Sequence, residues 1–155
     1  MSHVDFGDSP TAALVAKTLG IYDAKEFDRL GEVMHEDVRL TFLGETSVGI
    51  PHIQETLTAL YTAIPDQTHT IERITIDDEN EAVAIEMLVA GTHDAAPFPT
   101  AFGMVPPSGE HVEWRPGSFV RARDGKVESW TVYLDQVSVL RALGVELAPA
   151  TPIEA

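Results

Sequence analysis

The sequence predicts an α+β fold, a curved antiparallel sheet with helices on one face that together form a conical pocket. Helical patterns occupy the first part of the chain, and long β-patterned segments fill most of the rest. The pair Asp124-Gly125 separates two of these segments and strongly favours a tight hairpin turn. Helices first and strands afterwards are typical of α+β domains. A sheet that curls against helices leaves a pocket with mostly apolar walls.

The predicted helices are marked by caps, prolines and apolar spacing. Ser9 can cap the first helix, with Pro10 in its first turn. The third shows the clearest pattern, because apolar residues recur every three or four positions between Pro51 and Pro65. The predicted helices start after Ser9 and cover about 24–34, Ile53–Ile64 and Gln136–Leu143.

The predicted strands are rich in β-branched and apolar residues. They cover Val38–Leu43, Thr68–Ile76, Ala82–Thr92, His111–Arg123 and Lys126–Leu134. A two-residue turn at Asp124-Gly125 would place Arg121 opposite Glu128 and Phe119 opposite Trp130. Both are favourable cross-strand pairs, so this register is the expected one.

Length and charge restrict the function. The 155 residues suit one domain over 1–155, with a core at about 11–144 and loose ends at 1–9 and 146–155. The net charge is 10 − 25 = −15, which disfavours nucleic acid and anionic membranes as partners. No signal peptide or apolar span is evident, so a soluble cytoplasmic protein is expected.

Motifs with a fixed mechanism are missing from the sequence. It has no cysteine, no phosphate-binding glycine loop and no nucleophile elbow. His35-Glu36 resembles the start of a zinc-binding H-E-x-x-H helix, but Arg39 stands where the second histidine ligand belongs. The sequence therefore predicts no metal site.

Three residues are candidates for acid–base chemistry. His93 closes a long apolar strand, and a histidine at a pocket rim can carry protons near neutral pH. The alternative is a hydrogen-bonded structural histidine. Glu86 interrupts the same strand and would be a usable base in an apolar pocket, or it pairs with an arginine across the sheet. Asp135 precedes the last helix and is either a partner in catalysis or a helix cap.

Residues 94–109 form an unusual apolar loop with four prolines and two glycines. Such a stretch packs over the pocket as a wall or lid, or it is buried against a partner subunit. Trp114 and Trp130 lie on neighbouring predicted strands, where a tryptophan belongs to the core, an interface or a pocket. The loop contributes three further candidates for contact with a ligand, Phe98, Phe102 and Met104.

Several short segments, in this order and spacing, resemble the SnoaL-like polyketide (ester) cyclases over roughly residues 11–144. No single segment is diagnostic. The segments are Tyr22-Asp23, His35-Glu36-Asp37-Val38, Gly91-Thr92-His93, Val105-Pro106-Pro107-Ser108-Gly109, Arg123-Asp124-Gly125-Lys126-Val127, Trp130, Asp135-Gln136 and Leu140…Leu143-Gly144. The resemblance implies the ketosteroid isomerase-like α+β cone, commonly a homodimer through the outer sheet face.

The resemblance also implies a chemistry. Polyketide cyclases of this family close a ring by intramolecular aldol reaction without metal or cofactor, using an Asp on the last strand and a His on the strand before it. The corresponding positions here are Val132 and Ser118. A regular two-residue hairpin would point them to opposite faces, unless Pro116-Gly117 introduces a bulge. The steroid isomerase mechanism needs an acid on the first strand, which Val38–Leu43 lacks.

Two kinds of function follow as hypotheses. The first is a cofactor-free enzyme that cyclises, isomerises or dehydrates a bulky, apolar, oxygenated small molecule such as a polyketide. His93 would be its acid–base residue, assisted by Glu86 or Asp135, and Tyr22 would orient the substrate with the two tryptophans. The second is a non-catalytic ligand-binding or dimerisation domain on the same fold. Two titratable groups in contact within an apolar cavity would favour the enzyme.

Overall fold

The computed structural model describes residues 4–154, which form three α-helices packed on a curved sheet. Helix α1 begins where expected: Ser9 Oγ accepts a hydrogen bond from the backbone nitrogen of Ala12 at 3.0 Å. Asp78, 69 residues further along the chain, accepts from the Ser9 hydroxyl at 2.7 Å and ties this helix to the sheet. The helices are α1 (Pro10–Asp23), α2 (Ile50–Ala63) and α3 (Gln136–Ala142).

The main sheet has seven strands in the order β2-β1-β9-β8-β4-β3, with β7 beside the far half of β4. All of its pairings are antiparallel except that of β1 with β9, which is parallel. A separate hairpin joins β5 and β6. The strands are β1 (Met34–Phe42), β2 (Glu45–Val48), β3 (Thr68–Asp77), β4 (Ala82–Thr92), β5 (Phe98–Thr100), β6 (Gly103–Val105), β7 (His111–Trp114), β8 (Gly117–Arg123) and β9 (Lys126–Tyr133).

The predicted hairpin is present, but its predicted register is wrong beyond the turn. Asp124 and Gly125 both have positive φ, as the tight turn requires. The register then shifts by one residue between Arg121 and Ala122, so Trp130 lies opposite Val120. Trp130 is 2% exposed, and the shift turns its ring to the core with Val127, three residues earlier, which a regular strand would place on the opposite face.

This bulge replaces two predicted contacts. Phe119, which was expected opposite Trp130, lies opposite Thr131 on the convex face and is 58% exposed. Glu128, the extra residue of the bulge, forms its ion pair with Arg123 at 3.2 Å instead of with Arg121. The bulge suggested at Pro116-Gly117 therefore lies in the opposite strand, at Glu128.

The segment predicted as one strand over His111–Arg123 is divided in two. β7 pairs with the end of β4, and β8 pairs with its beginning. Pro116 stands between them, where it has no N–H to donate to the ladder. Its carbonyl still accepts a hydrogen bond from the backbone of Met87 at 3.1 Å.

The helix predicted over 24–34 is also shorter than expected. Phe27–Glu32 forms a 3₁₀ helix, in which residues three apart lie above one another. Arg29 contacts Glu26 and Glu32 at this spacing. Met34 already belongs to β1, because it pairs with Val127 of β9.

The core lies between the helices and the concave face of the sheet, and it continues under the β5–β6 hairpin. Fully buried side chains from each layer meet there, including Val15 of α1, Ile53 of α2 and Val120 of β8. None of the helices in residues 4–154 is both long and apolar enough to cross a bilayer.

Candidate functional site

A cavity opens inside the cone, between α1, α2 and the concave face of the sheet. The space in it that is open to the centre of a water molecule is about 60 Å³. Three polar side chains line it, those of Tyr22, Gln67 and His69. The remaining wall is apolar and consists of Leu19, Leu40, Phe42, Leu57, Leu60, Met87, Val89, Phe98, Trp114, Pro116, Trp130 and Val132.

His69 lines this cavity and forms a hydrogen-bonded pair with Asp23, which lies behind it. Asp23 is the last residue of α1, and His69 is the second residue of β3. His69 Nδ1 lies 2.7 Å from Asp23 Oδ1, and the backbone nitrogen of His69 donates to Asp23 Oδ2 at 3.0 Å. The carboxylate therefore holds both the ring and the strand that carries it.

The pairing assigns roles to the two ring nitrogens. Because Nδ1 faces a carboxylate oxygen, it is the nitrogen that donates, and in the neutral ring Nε2 is then the acceptor. Tyr61 also donates to Asp23 Oδ1, at 2.9 Å. The pKa of Tyr61 is raised by burial and by the charge of Asp23, so its hydroxyl remains a donor to the carboxylate.

Tyr22 brings an unpaired hydroxyl to the same site. The residue is 5% exposed, and its hydroxyl has no hydrogen-bond partner among the described residues. Its ring lies 6.3 Å from that of His69 and 5.9 Å from that of Trp130. Burial raises the pKa of Tyr22, which keeps the phenol protonated and available as a hydrogen-bond donor.

Local structure explains how these groups converge. Leu19 and Tyr22 are three residues apart on α1, so both face the sheet. Gln67 immediately precedes β3 and His69 is its second residue, and both line the cavity while Thr68 and Thr70 are exposed. The C-terminus of α1 crosses this end of β3, which brings Tyr22 and Asp23 to His69.

Four of the residues predicted from sequence to bind a substrate do line the cavity: Tyr22, Phe98, Trp114 and Trp130. Phe98 and Trp114 pack edge to face with their ring centroids 5.5 Å apart. The structure places the other two outside it. Phe102 is 75% and Met104 62% exposed, and both border a groove between the β5–β6 hairpin and α3.

His93 is fully buried and lies behind the cavity wall. Its Nε2 is 2.8 Å from the carbonyl oxygen of Ala96, to which it donates, and Nδ1 has no partner among the described residues. The ring packs edge-on against Phe98, with centroids 6.1 Å apart. Phe98 lines the cavity and His93 does not, so His93 holds the start of the 94–109 loop in this structure.

Glu86 lies on the convex face of the sheet. Its side chain is 60% exposed and forms an ion pair at 3.2 Å with Arg73, its partner across β3 and β4. This is the arginine pairing considered as the alternative to a buried base.

Asp135 caps α3 and does not line the cavity. Oδ1 accepts from the backbone nitrogens of Val137 and Ser138, and Oδ2 accepts from the Ser138 hydroxyl at 2.7 Å. The hydrogen bonds of Ser138 are the main reason that the pKa of Asp135 lies below its usual value.

Replacing Asp135 with Ala is expected to lower Tm by roughly 2–4 °C at neutral pH. Because the folded-state pKa is lowered, this contribution is present above the unfolded-state pKa and is lost as pH falls through the folded one. The Tm difference between wild type and Asp135→Ala should therefore shrink below about pH 4. Calorimetry of both proteins from pH 7 to pH 2.5 measures it, and a difference that grows with acid would contradict the assignment.

The hydrogen-bonded pair of His69 and Asp23 was not predicted from the sequence. One local signal was present: Gln67 and His69 alternate with threonines at the start of a strand. Nothing local connects them to Asp23, which is 46 residues away.

The two positions that correspond to the cyclase acid and base do lie side by side. Ser118 and Val132 are cross-strand partners on the concave face, because the bulge at Glu128 restores their common orientation. Val132 lines the cavity, and Ser118 is 1% exposed with an unpaired hydroxyl among the described residues. The ionisable pair stands elsewhere, at the wall made by α1 and β3.

Within residues 4–154, no three histidine or acidic side chains converge as ligands for a metal ion. His69 and Asp23 contact each other, and the third polar group beside them is the Tyr61 hydroxyl.

Comparison with known proteins identifies relatives by family and by fold. The family profile of the SnoaL-like polyketide cyclases matches residues 12–143. No curated protein matches the chain by sequence.

Solved structures share the fold at low identity. A candidate SnoaL-like polyketide cyclase from Jannaschia sp. CCS1 is 20% identical, with a TM-score of 0.77 over 94% of this chain and 100% of that one. TsrD from Streptomyces laurentii is 16% identical, with a TM-score of 0.75 over 90% and 98%. AclR, a candidate hydroxylase from Streptomyces galilaeus, is 20% identical, with a TM-score of 0.72 over 89% and 98%.

Proposed function

Because this chain belongs to the SnoaL-like polyketide cyclase family, we propose that it is a cofactor-free enzyme that transfers protons with His69 on an apolar, oxygenated small molecule. The observation that carries the proposal is the 2.7 Å contact of Asp23 with His69, which lines a mostly apolar cavity. Two titratable groups in contact at such a cavity are typical of an acid–base site and are not needed for binding alone.

The first step is removal of a proton from a carbon next to a ketone. His69 Nε2 takes the proton, and the carbanion is stabilised as an enolate. Asp23 stabilises the imidazolium that forms, since its carboxylate accepts the Nδ1 hydrogen bond. Positioned acid–base groups of this kind accelerate reactions by roughly 10²–10⁴-fold.

Tyr22 is the group that would stabilise the enolate. Its hydroxyl is buried and unpaired among the described residues, and its ring lies beside His69 and Trp130. A preformed donor in an apolar site stabilises developing negative charge on oxygen far better than water does. Trp130 and Trp114 supply flat surfaces for an aromatic or polycyclic skeleton.

In a cyclisation, the enolate carbon attacks a second carbonyl group of the same molecule. A carbon–carbon bond forms, the carbonyl π bond breaks, and the imidazolium returns its proton to the resulting alkoxide. Atoms and charge balance within the substrate, so no oxidant or reductant is consumed.

The first test uses the proton-transfer step alone. 2-Acetonaphthone in deuterium oxide should exchange its methyl protons faster with the protein than without it, as measured by proton NMR. Glu86→Gln is the control, because Glu86 is exposed on the convex face and should not affect the exchange. Binding of the ketone without any exchange would contradict the enzyme and support the ligand-binding domain.

Asp23→Asn is expected to lower the exchange rate by about 10²-fold. The amide keeps the size of the carboxyl group but removes the charge that fixes the proton on Nδ1 and stabilises the imidazolium. Asp135→Asn is the matched control, because it makes the same change at an aspartate that caps α3 and does not line the cavity. NMR exchange rates for the three proteins, with Tm measured alongside, check the result; equal rates in wild type and Asp23→Asn would refute the role of Asp23.

We further propose a homodimer, as the family resemblance implies, and a cytoplasmic setting, which is the expectation from the sequence. The convex face of the sheet supports a dimer, because Phe119 and Tyr133 are 58% and 64% exposed and pack edge to face on it. Light scattering of the wild-type protein at micromolar concentration tests the oligomeric state.

A further inference from the structure

We propose that Gln67 selects the substrate by accepting a hydrogen bond from a ligand hydroxyl group. The favoured ligands would then be neutral ketones that carry a hydroxyl some distance from the carbonyl. The inference rests on the proposed function, because it concerns the same cavity, and it adds a recognition group to the acid–base pair.

Gln67 is unusual because it is a buried amide with an unpaired carbonyl. The residue is 5% exposed, and its Oε1 has no hydrogen-bond partner among the described residues. Its side chain lines the cavity. Buried side-chain oxygens almost always have a partner, so a cavity wall that offers an unpaired one is suited to a ligand that supplies the donor.

Neighbouring groups determine which end of the amide faces the cavity. Tyr61 gives its hydroxyl proton to Asp23, so its oxygen can only accept a further hydrogen bond. The Gln67 side chain lies beside this oxygen and opposes the rise in the pKa of Tyr61, which is the effect of a donor directed at the phenol oxygen. We therefore assign the amide nitrogen to the side of Tyr61 and the unpaired Oε1 to the ligand.

The spacing of Gln67 and His69 gives the geometry of the ligand. The two residues are two positions apart. In an extended segment this spacing places side chains on the same side and about 6–7 Å apart. A ketone held by Tyr22 and His69 would reach Gln67 with a group on its own skeleton. The hydroxyl is therefore expected on a second ring and not beside the carbonyl, where it would bond to the ketone itself.

The charges around the cavity indicate a neutral ligand. Within residues 4–154 no lysine or arginine lines it, so a carboxylate would be desolvated without a cation. Gln67 itself is uncharged and offers no counter-ion to an ammonium group. A hydroxyl is the donor that this site accommodates without a buried net charge.

The test is a binding cycle between ligand and protein. The ligands are 2-acetonaphthone, its four derivatives that carry one hydroxyl on the distal ring, and the matching methoxy compounds. The proteins are wild type, Gln67→Leu, which removes the acceptor at similar volume, and Gln54→Leu. Gln54 is the matched control, because it donates to the carbonyl of Phe27 and does not line the cavity.

Wild type and Gln54→Leu should bind at least one hydroxy isomer about 10- to 100-fold more tightly than 2-acetonaphthone, by fluorescence titration. In Gln67→Leu this ratio should fall below about threefold, while the parent ketone binds as well as before or better. The methoxy compounds, which cannot donate, should show no preference in any of the proteins.

A preference that persists in Gln67→Leu would overturn the proposal, and so would a wild-type protein that does not distinguish the ligands or binds none of them. The proposed catalytic function fails differently. If wild type prefers the hydroxy ketone but exchanges none of its methyl protons, Gln67 is a recognition residue and His69 is not a base. If exchange occurs without a preference for the hydroxyl group, His69 acts as a base and Gln67 is not a recognition residue.

Discussion

Replacing His69 with Gln is expected to lower methyl-proton exchange of 2-acetonaphthone by roughly 10²–10⁴-fold, while Tm changes little. Glutamine keeps an amide that can hydrogen-bond to Asp23, but it has no nitrogen that can accept and release a proton. The variant keeps the cavity wall, and it keeps the hydrogen bond from the backbone nitrogen of residue 69 to Asp23. Exchange rates from proton NMR, with Tm from calorimetry, separate loss of chemistry from loss of fold.

His93→Gln is the matched comparison. His93 is fully buried behind Phe98 and donates to the carbonyl of Ala96. Its replacement should leave the exchange rate within about threefold of wild type but lower Tm, because a packed core side chain changes shape. If His93→Gln loses exchange activity and His69→Gln keeps it, the acid–base role belongs to the histidine predicted from sequence.

Gly91→Ala is expected to destabilise the protein by about 1–3 kcal/mol, the usual cost of overpacking a core. Gly91 lies on β4 beneath the turn that follows α2. A methyl group there would overlap with Ile64 and would lie 3.0 Å from Asp66 Oδ1 and 3.2 Å from the backbone Cα of Gln67. Ile64 is fully buried, so the strain must be taken up by the turn that carries Gln67.

Gly117→Ala provides the control for that experiment. Gly117 is also in a strand, on β8, and a methyl group added to it meets no atom within 4 Å. This substitution should leave stability unchanged or raise it slightly, because alanine restricts the unfolded chain. Chemical denaturation of both variants measures the difference, and equal stabilities would show that the space beside Gly91 is not limiting.

The position of the proposed acid–base pair differs from the position that the family resemblance implies. The resemblance pointed to two adjacent strands, where Ser118 and Val132 now face each other without an ionisable group. The proposed pair uses α1 and β3 instead. Both locations open on the same cavity, since Val132 and His69 line it together. A conical pocket offers several walls from which a base can reach the ligand.

The sequence by itself determined the elements and the overall architecture. Helices α1 and α2, strands β3 and β4 and the Asp124-Gly125 turn were predicted close to their observed bounds, because caps, prolines and apolar periodicity act within a few residues. Elements whose limits depend on a distant strand were less predictable. Val127 pairs with Met34 of the first strand, and that contact ended the helix predicted over 24–34.

Only the tertiary structure decided the site. Tyr22 and Asp23 lie at the C-terminal end of α1. Gln67 and His69 lie at the beginning of β3, more than 40 residues further along the chain, where α1 crosses the sheet. No local sequence pattern predicts this contact, because the free energy that brings α1 to β3 comes from packing the helix on the sheet and not from the contacting residues themselves. The same reason explains the bulge at Glu128: burial of Trp130 against α1 outweighed the regular cross-strand pairs that sequence spacing favoured.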